Sequence, residues 1–174
     1  MVNYFTLFGI AETFDLDASE LSTKYQTLQK LTHPDRFASE SEQQQRIALQ
    51  KNAQVSDGYQ VLKSPLKRAE HLLALRGLTL DGETQTMQDM DFLMQQMQWR
   101  EMLSELDQAA DPDAVIDELY GEIEQQFSTL YGVVREMLKG ESDEQNQRLA
   151  DTIRKLKFID KLQREVEEKE SQRF

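Results

Sequence analysis

Three prolines divide a sequence that otherwise follows helical periodicity. Ser64-Pro65 and Asp111-Pro112 each place a capping side chain directly before a proline, an arrangement typical of the first turn of a helix. Pro34 instead follows a helical pattern. It predicts the end of that helix, because proline lacks a backbone donor and disfavours α geometry at the residue before it. Strand-type alternation of apolar and polar residues is absent, so the sequence predicts an all-α protein.

The helix that leads to Pro34 has a recognisable start and end. Asp17 is a candidate N-cap, and Glu20 follows three positions later, which is the spacing of a capping box. Apolar residues then recur at helical intervals, and the helix is expected to stop near Thr32. The tripeptide His33-Pro34-Asp35 follows as a short loop. Because proline fixes its own φ angle, we expect a stiff turn that presents the histidine and aspartate side chains outward.

Glycine, proline and capping residues also predict the domain organisation. Ser64-Pro65 opens a helix that ends before Gly77, and a candidate linker follows it. Three long helices are expected next, from about residue 86 to 108, from Asp111-Pro112 to before Gly140, and from Ser142, which has Gln145 at capping-box spacing. The predicted parts are a domain at 1–76, a linker at 77–85 and an antiparallel three-helix bundle at 86–174.

The charge of the chain is acidic and unevenly distributed. Twenty basic and thirty-two acidic residues give a net charge of −12, which argues against nucleic acid or an anionic membrane surface as the main partner. Residues 1–75 hold eight basic and nine acidic residues, a net of −1. The remaining twelve basic and twenty-three acidic residues give −11 for residues 76–174. Two halves with such different surfaces are expected to meet different partners.

Residue usage limits the chemistry that the chain can perform. There is no cysteine, so no disulfide, thiolate nucleophile or conventional cluster ligation is available. With two histidines, a metal site is not expected either, and we expect no cofactor. No apolar run approaches membrane length, and the N-terminus has the pattern of neither a signal peptide nor a transit sequence. A bacterial cytoplasmic protein is the simplest expectation.

The first helix of the predicted bundle carries two apolar stripes. At about 100° per residue, aromatic and leucine positions share one side and methionines lie nearly opposite. A three-helix bundle buries only one such side fully, and aromatic and leucine side chains make the better core, so the methionine side is predicted to be exposed. An alternative is that Met87 and Met90 pack against the first domain or the linker. The core stripe is Phe92, Trp99, Leu103 and Leu106, and the methionine stripe is Met87, Met90, Met94 and Met97.

The order of short runs in the first half matches a known module. These runs are NYFTLFG at residues 3–9, His33-Pro34-Asp35, YQVLKSP at residues 59–65 and Lys67-Arg68-Ala69. Their order resembles the J-domain, with which co-chaperones stimulate the ATPase of DnaK-type chaperones. The resemblance covers residues 2–75 or so.

Further runs narrow the resemblance and extend it along the whole chain. They are YFTLFG at residues 4–9, RAEHLL at residues 68–73 and FLM at residues 92–94. Together they resemble HscB-type J-domain co-chaperones of iron-sulfur cluster assembly. The resemblance implies two partners, an HscA-type DnaK-like chaperone and an IscU-type scaffold protein on which clusters are built. Since this chain has no cysteine, the partner would carry the cluster.

The resemblance also implies site residues in each half. Gln98 departs from the carboxylate that the family often has, and Gln26 and Gln29 replace charges common in J-domains, which fits a dedicated chaperone. The implied chaperone-binding residues are His33, Pro34, Asp35, Lys24, Lys30 and Arg36. The implied scaffold-binding residues are Leu93, Met94, Met97, Gln98, Glu101, Glu105 and Phe158.

Helical position alone gives expectations for two other side chains. Phe158 points away from the stripe of Leu149, Ile153 and Leu156, which agrees with a place on the scaffold-binding face. A lone aromatic on a helix is also a common core residue, so a buried position stays open. His71 is expected at a helix surface or bundle edge, with no functional role.

Two other classes of function compete with a co-chaperone. His33 and Asp35 could serve as the base and its orienting partner in an enzyme, but a proline-stiffened surface loop offers no pocket that excludes water. A helical adaptor without ATPase stimulation would account for the acidic bundle and leave the loop without a purpose. We therefore expect a co-chaperone that is not an enzyme, with the adaptor as the alternative.

Overall fold

The computed structural model describes residues 1–80 and 89–173. These residues form helices and no strands, which confirms the predicted all-α class. The chain divides into two compact units, Met1–Leu78 and Thr79–Phe174. Residues 81–85 of the predicted linker, and Met87, lie outside the described residues. The predicted domain boundaries therefore stay predictions.

The first unit is built from helices whose ends the sequence marks clearly. Asn3 caps the first helix by accepting from the backbone N–H groups of Phe5 and Thr6, and Gly9 ends it with a φ of 65°. Ser64 caps the last helix of the unit at the backbone N–H of Lys67, as the Ser64-Pro65 pair predicts. The helices are α1 (Tyr4–Phe8), α2 (Ala18–Thr32), α3 (Glu42–Lys63) and α4 (Pro65–Leu75), with a 3-10 turn at Pro34–Phe37.

The long pair α2 and α3 forms an antiparallel hairpin on which α1 packs. The rings of Tyr25 and Tyr59 stack across the hairpin, 4.1 Å apart and 10° from parallel. Gly58 lets α1 approach α3, since a β-carbon there would lie 2.7 Å from Cδ1 of Tyr4 and 3.0 Å from Cε2 of Phe8. The core of this unit includes Phe5, Phe8, Phe14, Leu21, Val55, Leu62, Leu72 and Leu73.

His71 lies inside this core and not at a surface or bundle edge, so the position expected from the sequence is wrong. Its Nε2 atom accepts the backbone N–H of Tyr4 over 3.1 Å, and its ring lies against the rings of Tyr4 and Phe5. The physical reason is the unsatisfied first turn of α1, whose backbone donors need acceptors. His71 therefore has a structural role, as lone histidines often do.

The second unit consists of three long helices and a short turn. Asp111 caps the second of them at the backbone N–H of Ala114, and Ser142 forms the predicted capping box with Gln145. The helices are α5 (Met90–Ser104), α6 (Pro112–Met137) and α7 (Asp143–Ser171), with a 3-10 turn at Leu106–Gln108 between α5 and α6.

Helix α5 is shorter at both ends than the expected span of 86 to 108. Asp89 has an extended backbone and accepts the backbone N–H of Phe92 over 3.1 Å, so it is the N-cap and the helix begins after it. The hydroxyl of Ser104 donates to the carbonyl of Glu101, a local hydrogen bond that competes with helix continuation. The chain then leaves α geometry at Glu105.

Polar contacts at the edges of the core show in which directions the three helices run. Lys155 donates to Asp89 over 2.6 Å, and Arg100 forms an ion pair with Glu165. The later residue on the α5 side, Arg100, pairs with the later residue on α7, Glu165. These two helices therefore run parallel. The hydroxyl of Tyr120 donates to Glu170 over 2.6 Å and joins α6 to the far end of α7, which makes α6 antiparallel to α7. The result is the three-helix bundle that the sequence predicts.

The side of α5 predicted to be core is buried. Trp99 is fully buried, and its indole N–H donates to Glu122 on α6 over 2.7 Å. On α6, Phe127 and Met137 are only half-buried. The core of the unit includes Phe92, Trp99, Leu103, Leu106, Ile116, Leu119, Ile123, Leu130, Val134, Leu149, Ile153, Leu156, Ile159, Leu162 and Val166.

Candidate functional site

The loop after α2 is a stiff and exposed turn. His33 leaves α geometry with φ −61° and ψ 133°, and Pro34 opens the 3-10 turn that follows. The side chains of His33 and Asp35 are 53% and 95% exposed. The outward presentation that the proline predicts is therefore present.

The two polar side chains of the loop differ in the hydrogen-bonding groups that remain available to a partner. Nδ1 of His33 accepts the backbone N–H of Asp35 over 3.2 Å, so the ring proton of the neutral histidine sits on Nε2. The same Nδ1 lies 3.7 Å from Oδ2 of Asp35, which is too long for a hydrogen bond. An accepting Nδ1 has no proton for the carboxylate, so the hydrogen bond of His33 is the one to the backbone of Asp35. The carboxylate is thus open to external donors.

A polar bridge joins the end of α2 to α3 beside this loop. The side-chain amide of Asn52 donates to the hydroxyl of Thr32 over 3.1 Å, and that hydroxyl donates to the carbonyl of Leu28 over 2.8 Å. The same amide lies 3.5 Å from the carbonyl of Gln29. Carbonyls in the last turn of a helix lack intrahelical donors, and Pro34 cannot supply one. Asn52 therefore helps to fix the helix end from which the loop starts.

The three basic residues near the loop do not have equivalent surroundings. Lys30 and Arg36 are exposed. Lys24 is half-buried: its ammonium group donates to the carbonyl of Gly9 over 2.8 Å and lies 3.4 Å from Glu20. Lys24 thus holds the end of α1 against α2, a contact that the sequence analysis did not predict.

The methionine side of α5 is an exposed apolar face. Met90, Met94 and Met97 are 67%, 66% and 72% exposed, while Trp99 on the opposite side has no exposed surface. The alternative that Met90 packs against the first domain or the linker stays a prediction. Met87, the fourth member of the predicted stripe, lies outside the described residues. A shallow groove on this face is lined by Asp91, Met94, Gln95, Met97, Gln98 and Glu101.

Phe158 on α7 packs against the part of α5 that carries Phe92 and Arg100. It is half-buried, and its ring meets that of Phe92 edge-on at 6.0 Å, with the guanidinium group of Arg100 5.4 Å from its centre. At about 100° per residue, Leu93 on α5 lies between the Phe92 side and the methionines. Phe158, the half-buried Leu93 and Met97 therefore follow one another around the surface of the bundle.

Acidic and amide side chains border the methionines. Gln98 and Glu101 are exposed on the last turns of α5, and Glu105 is exposed just past the helix end. At the other end of α5, hydrogen bonds from Lys155 and from the backbone of Phe92 hold the pKa of the Asp89 carboxyl below its ordinary value. An apolar strip with carboxylates at its border suits a partner that has apolar and basic groups.

Two further findings concern metal binding and membrane-spanning helices. Within residues 1–80 and 89–173, no three His, Cys, Asp or Glu side chains come together in a way that could hold a metal ion. None of the helices in these ranges is long and apolar enough to cross a membrane.

Comparison with known proteins places the chain in a family. The family described as HSCB C-terminal oligomerisation domain matches residues 88–167. The co-chaperone protein HscB homolog of Pseudoalteromonas atlantica is 52% identical over 169 residues, which are 97% of each chain. The chain belongs to the HscB family of co-chaperones. The resemblance found from the sequence is thus confirmed, and membership gives the chain a co-chaperone role in iron-sulfur cluster assembly.

Solved structures agree with that membership. The chaperone HscB from Vibrio cholerae is 41% identical and matches with a TM-score of 0.80, covering 99% of this chain and 100% of the other. The human co-chaperone HscB matches with a TM-score of 0.87 over 98% of this chain and 83% of the other. At 24% identity the human protein supports the fold alone.

The structure brings the implied HscB site residues into two groups. His33, Pro34, Asp35, Lys30 and Arg36 lie together at the end of α2. Leu93, Met94, Met97, Gln98 and Glu101 share one side of α5, and Glu105 lies just past the helix end. The ring of Phe158 contacts Phe92 and Arg100 of the same helix. Their binding roles stay predictions. Asn52, Thr32 and Arg100 were missed, because single polar residues on helices give no sign of partners 20 or 65 positions away in the chain.

Proposed function

We propose that this HscB-family chain delivers an IscU-type scaffold protein to an HscA-type DnaK-like chaperone and stimulates the ATPase of that chaperone. In this proposal the chain performs no chemistry itself. The methionine face of α5, with Leu93 and Phe158, binds the scaffold. The loop His33-Pro34-Asp35 contacts the ATPase domain of the chaperone.

The observation that carries the proposal is the exposed methionine face beside a filled core. Phe92, Trp99 and Leu103 already fill the space between the helices, so the methionines have no packing task inside the bundle. Contiguous apolar side chains at a surface usually mark a site of protein interaction. Methionine is flexible and polarizable, which suits a surface that must fit the contours of another protein.

The geometry of the loop supports the second contact. Asp35 presents an open carboxylate on a turn that Pro34 stiffens, so little conformational entropy is lost when a partner binds it. Lys30 and Arg36 lie exposed on either side and would meet acidic groups of the chaperone. Lys24 is committed in part to the carbonyl of Gly9, so its share in the contact is expected to be smaller.

Carrying both contacts on one chain is what makes delivery efficient. Once the scaffold is held by one half, its encounter with the chaperone becomes effectively intramolecular. The charge split, −1 for residues 1–75 and −11 for residues 76–174, fits a division of the two partners between the halves.

Chaperone ATPase measurements test the proposal directly. The rate is measured for the HscA-type chaperone alone, with this protein, with scaffold, and with both. We expect acceleration by this protein and a more than additive effect when scaffold is present, with no ATP turnover by this protein alone. Scaffold binding without any acceleration would favour the adaptor. Turnover by this protein alone would indicate an enzyme.

A further inference from the structure

We propose that Met90, Met94 and Met97 form an oxidation-sensitive site, and that conversion of these residues to methionine sulfoxide releases the scaffold. The proposal rests on the scaffold-binding role given above to this face. The oxidant class is a two-electron oxidant of thioethers, and hypochlorous acid is the probe.

The first step of the argument is access. The three methionines stand at positions i, i+4 and i+7 of α5, which places them on one side of the helix. Each leaves about two thirds of its surface in contact with solvent, at 67%, 66% and 72%. An oxidant can therefore reach all three sulfur atoms without any unfolding.

The second step is selectivity within the chain. Thiols would be the preferred targets of such an oxidant, and this chain has none. Trp99, the one tryptophan, is fully buried. Met102 and Met137 are half-buried, and Met1 is exposed at the chain end. Within residues 1–80 and 89–173, the methionine face is thus the place where exposed methionines are grouped.

The third step is the chemistry. A lone pair of the thioether sulfur attacks the chlorine of hypochlorous acid, so an S–Cl bond forms and the O–Cl bond breaks with release of hydroxide. Water then attacks the sulfur of this chlorosulfonium ion, an S–O bond forms, and the S–Cl bond breaks with loss of chloride. The two protons of that water pass to the hydroxide and to solvent, so sulfur is oxidised by two electrons and chlorine is reduced by two. The product is a polar, chiral sulfoxide in place of a flexible apolar side chain.

The fourth step is the effect on binding. An interface buries the methionine side chains against apolar groups of the partner, and a sulfoxide oxygen buried there loses its hydrogen bonds to water. The unbound protein suffers no such cost, because these positions are exposed and the core lies on the other side of α5. Oxidation should therefore weaken scaffold binding while leaving the fold intact.

The experiment compares three full-length proteins. One is the wild type, and the second is M90L/M94L/M97L, which keeps apolar side chains of similar size without sulfur. The matched control is M87L/M102L/M137L, which leaves Met1 and the three face methionines. Each protein is treated with hypochlorous acid and freed of oxidant, and peptide mass spectrometry measures sulfoxide at each site. Scaffold affinity is then measured by calorimetry before and after treatment.

Oxidation should weaken scaffold affinity of the wild type and of M87L/M102L/M137L by about tenfold or more, and methionine sulfoxide reductases should restore it. M90L/M94L/M97L should keep its affinity after treatment, although it retains Met1, Met87, Met102 and Met137. Wild-type affinity that changes less than about twofold with all three sites oxidised would overturn the proposal, as would a failure of the reductases to restore it. Failure of the proposed function has a different signature, because untreated wild type would then not bind scaffold at all.

Discussion

Nε2 of His71 accepts the backbone N–H of Tyr4 over 3.1 Å, and this bond fastens α4 to the first turn of α1. The two residues are 67 positions apart, so the bond closes the first unit from its last helix back to its first. Burial lowers the pKa of His71 below its ordinary value, and the nearby Glu12 offsets part of that effect. The histidine is therefore held in its neutral, accepting form.

The sign of this pKa shift predicts acid sensitivity of the first unit. In the unfolded chain His71 takes up a proton near its ordinary pKa of about 6.5, while in the folded protein it does so only at lower pH. As the pH falls below about 6.5, the unfolded state therefore binds more protons than the folded state does. The free energy of unfolding decreases as a result. Hydrogen exchange of the α1 amides at pH 7.5 and 5.5 measures this loss of stability in the first unit. Trp99 fluorescence would not serve, because Trp99 lies in the other unit.

Two variants separate His71 from other sources of pH dependence. His71→Gln retains a side-chain acceptor and does not titrate, so its α1 amides should lose less protection between the two pH values than those of the wild type. His33→Gln removes the other histidine of the chain and should behave like the wild type. Equal pH dependence in wild type and His71→Gln would contradict the assignment.

Gly58 gives a prediction on packing. Gly58→Ala should lower the free energy of unfolding by about 1–3 kcal/mol, because the new β-carbon would lie 2.7 Å from the ring of Tyr4 and force α1 away from α3. Gly121→Ala is the matched control, since no atom lies within 4 Å of its added β-carbon. In the interior of α6 that change should stabilise by about 0.5–1 kcal/mol. Denaturant unfolding of both variants measures the two effects, and the same sign for both would contradict the proposed contact.

Local signals in the sequence predicted much of this fold. Pro65, Pro112 and Ser142 mark the starts of three helices, because a cap or a missing backbone donor acts within a few residues. The core side of α5 was also predictable, since helical spacing alone separates Trp99 from Met94.

Features that depend on contacts between residues far apart in the chain were not predicted from the sequence. The sequence gives no sign that His71 accepts from Tyr4, or that Asn52 bridges to Thr32, because each bond needs the tertiary packing of two helices. The start of α5 was missed for another reason. Asp89 is one of several polar residues in its stretch, and only the backbone conformation selects it as the cap.

The exposed loop predicts that activity and stability can be separated. His33→Gln and Asp35→Asn should each abolish stimulation of the chaperone ATPase, while changing the free energy of unfolding by less than about 0.5 kcal/mol. The control is Glu40→Gln, an exposed carboxylate just past the same turn, which should keep full stimulation. Wild-type stimulation by either loop variant would mean that the loop is not the activating element.

The two sides of α5 should respond oppositely to truncation. Met94→Ala with Met97→Ala should weaken scaffold binding and leave the melting temperature nearly unchanged, because both side chains are exposed. Trp99→Ala should destabilise the bundle by about 3–5 kcal/mol, since the buried ring and its bond to Glu122 are lost. Thermal unfolding and calorimetric titration with scaffold measure the two effects. A sharp fall in melting temperature for the methionine pair, with little for Trp99→Ala, would reverse the assignment of core and surface.

The division into two compact units predicts that the two activities can be parted. A fragment of residues 1–78 keeps the loop and the helices on both sides of it, so it should stimulate the chaperone weakly. It should show no added effect of scaffold, because the tethering surface is gone. A fragment of residues 84–174 should bind scaffold and leave the ATPase rate unchanged.

Circular dichroism comes first in that experiment, since each fragment buries a modest core and must be shown to be helical. A matched mixture of the two folded fragments is the control for tethering. It supplies every side chain of both proposed sites without a covalent link, so it should stimulate the chaperone no more than the first fragment alone, whether or not scaffold is present. Scaffold binding by residues 1–78, or ATPase stimulation by residues 84–174, would show that the two partners are not divided between the units in this way.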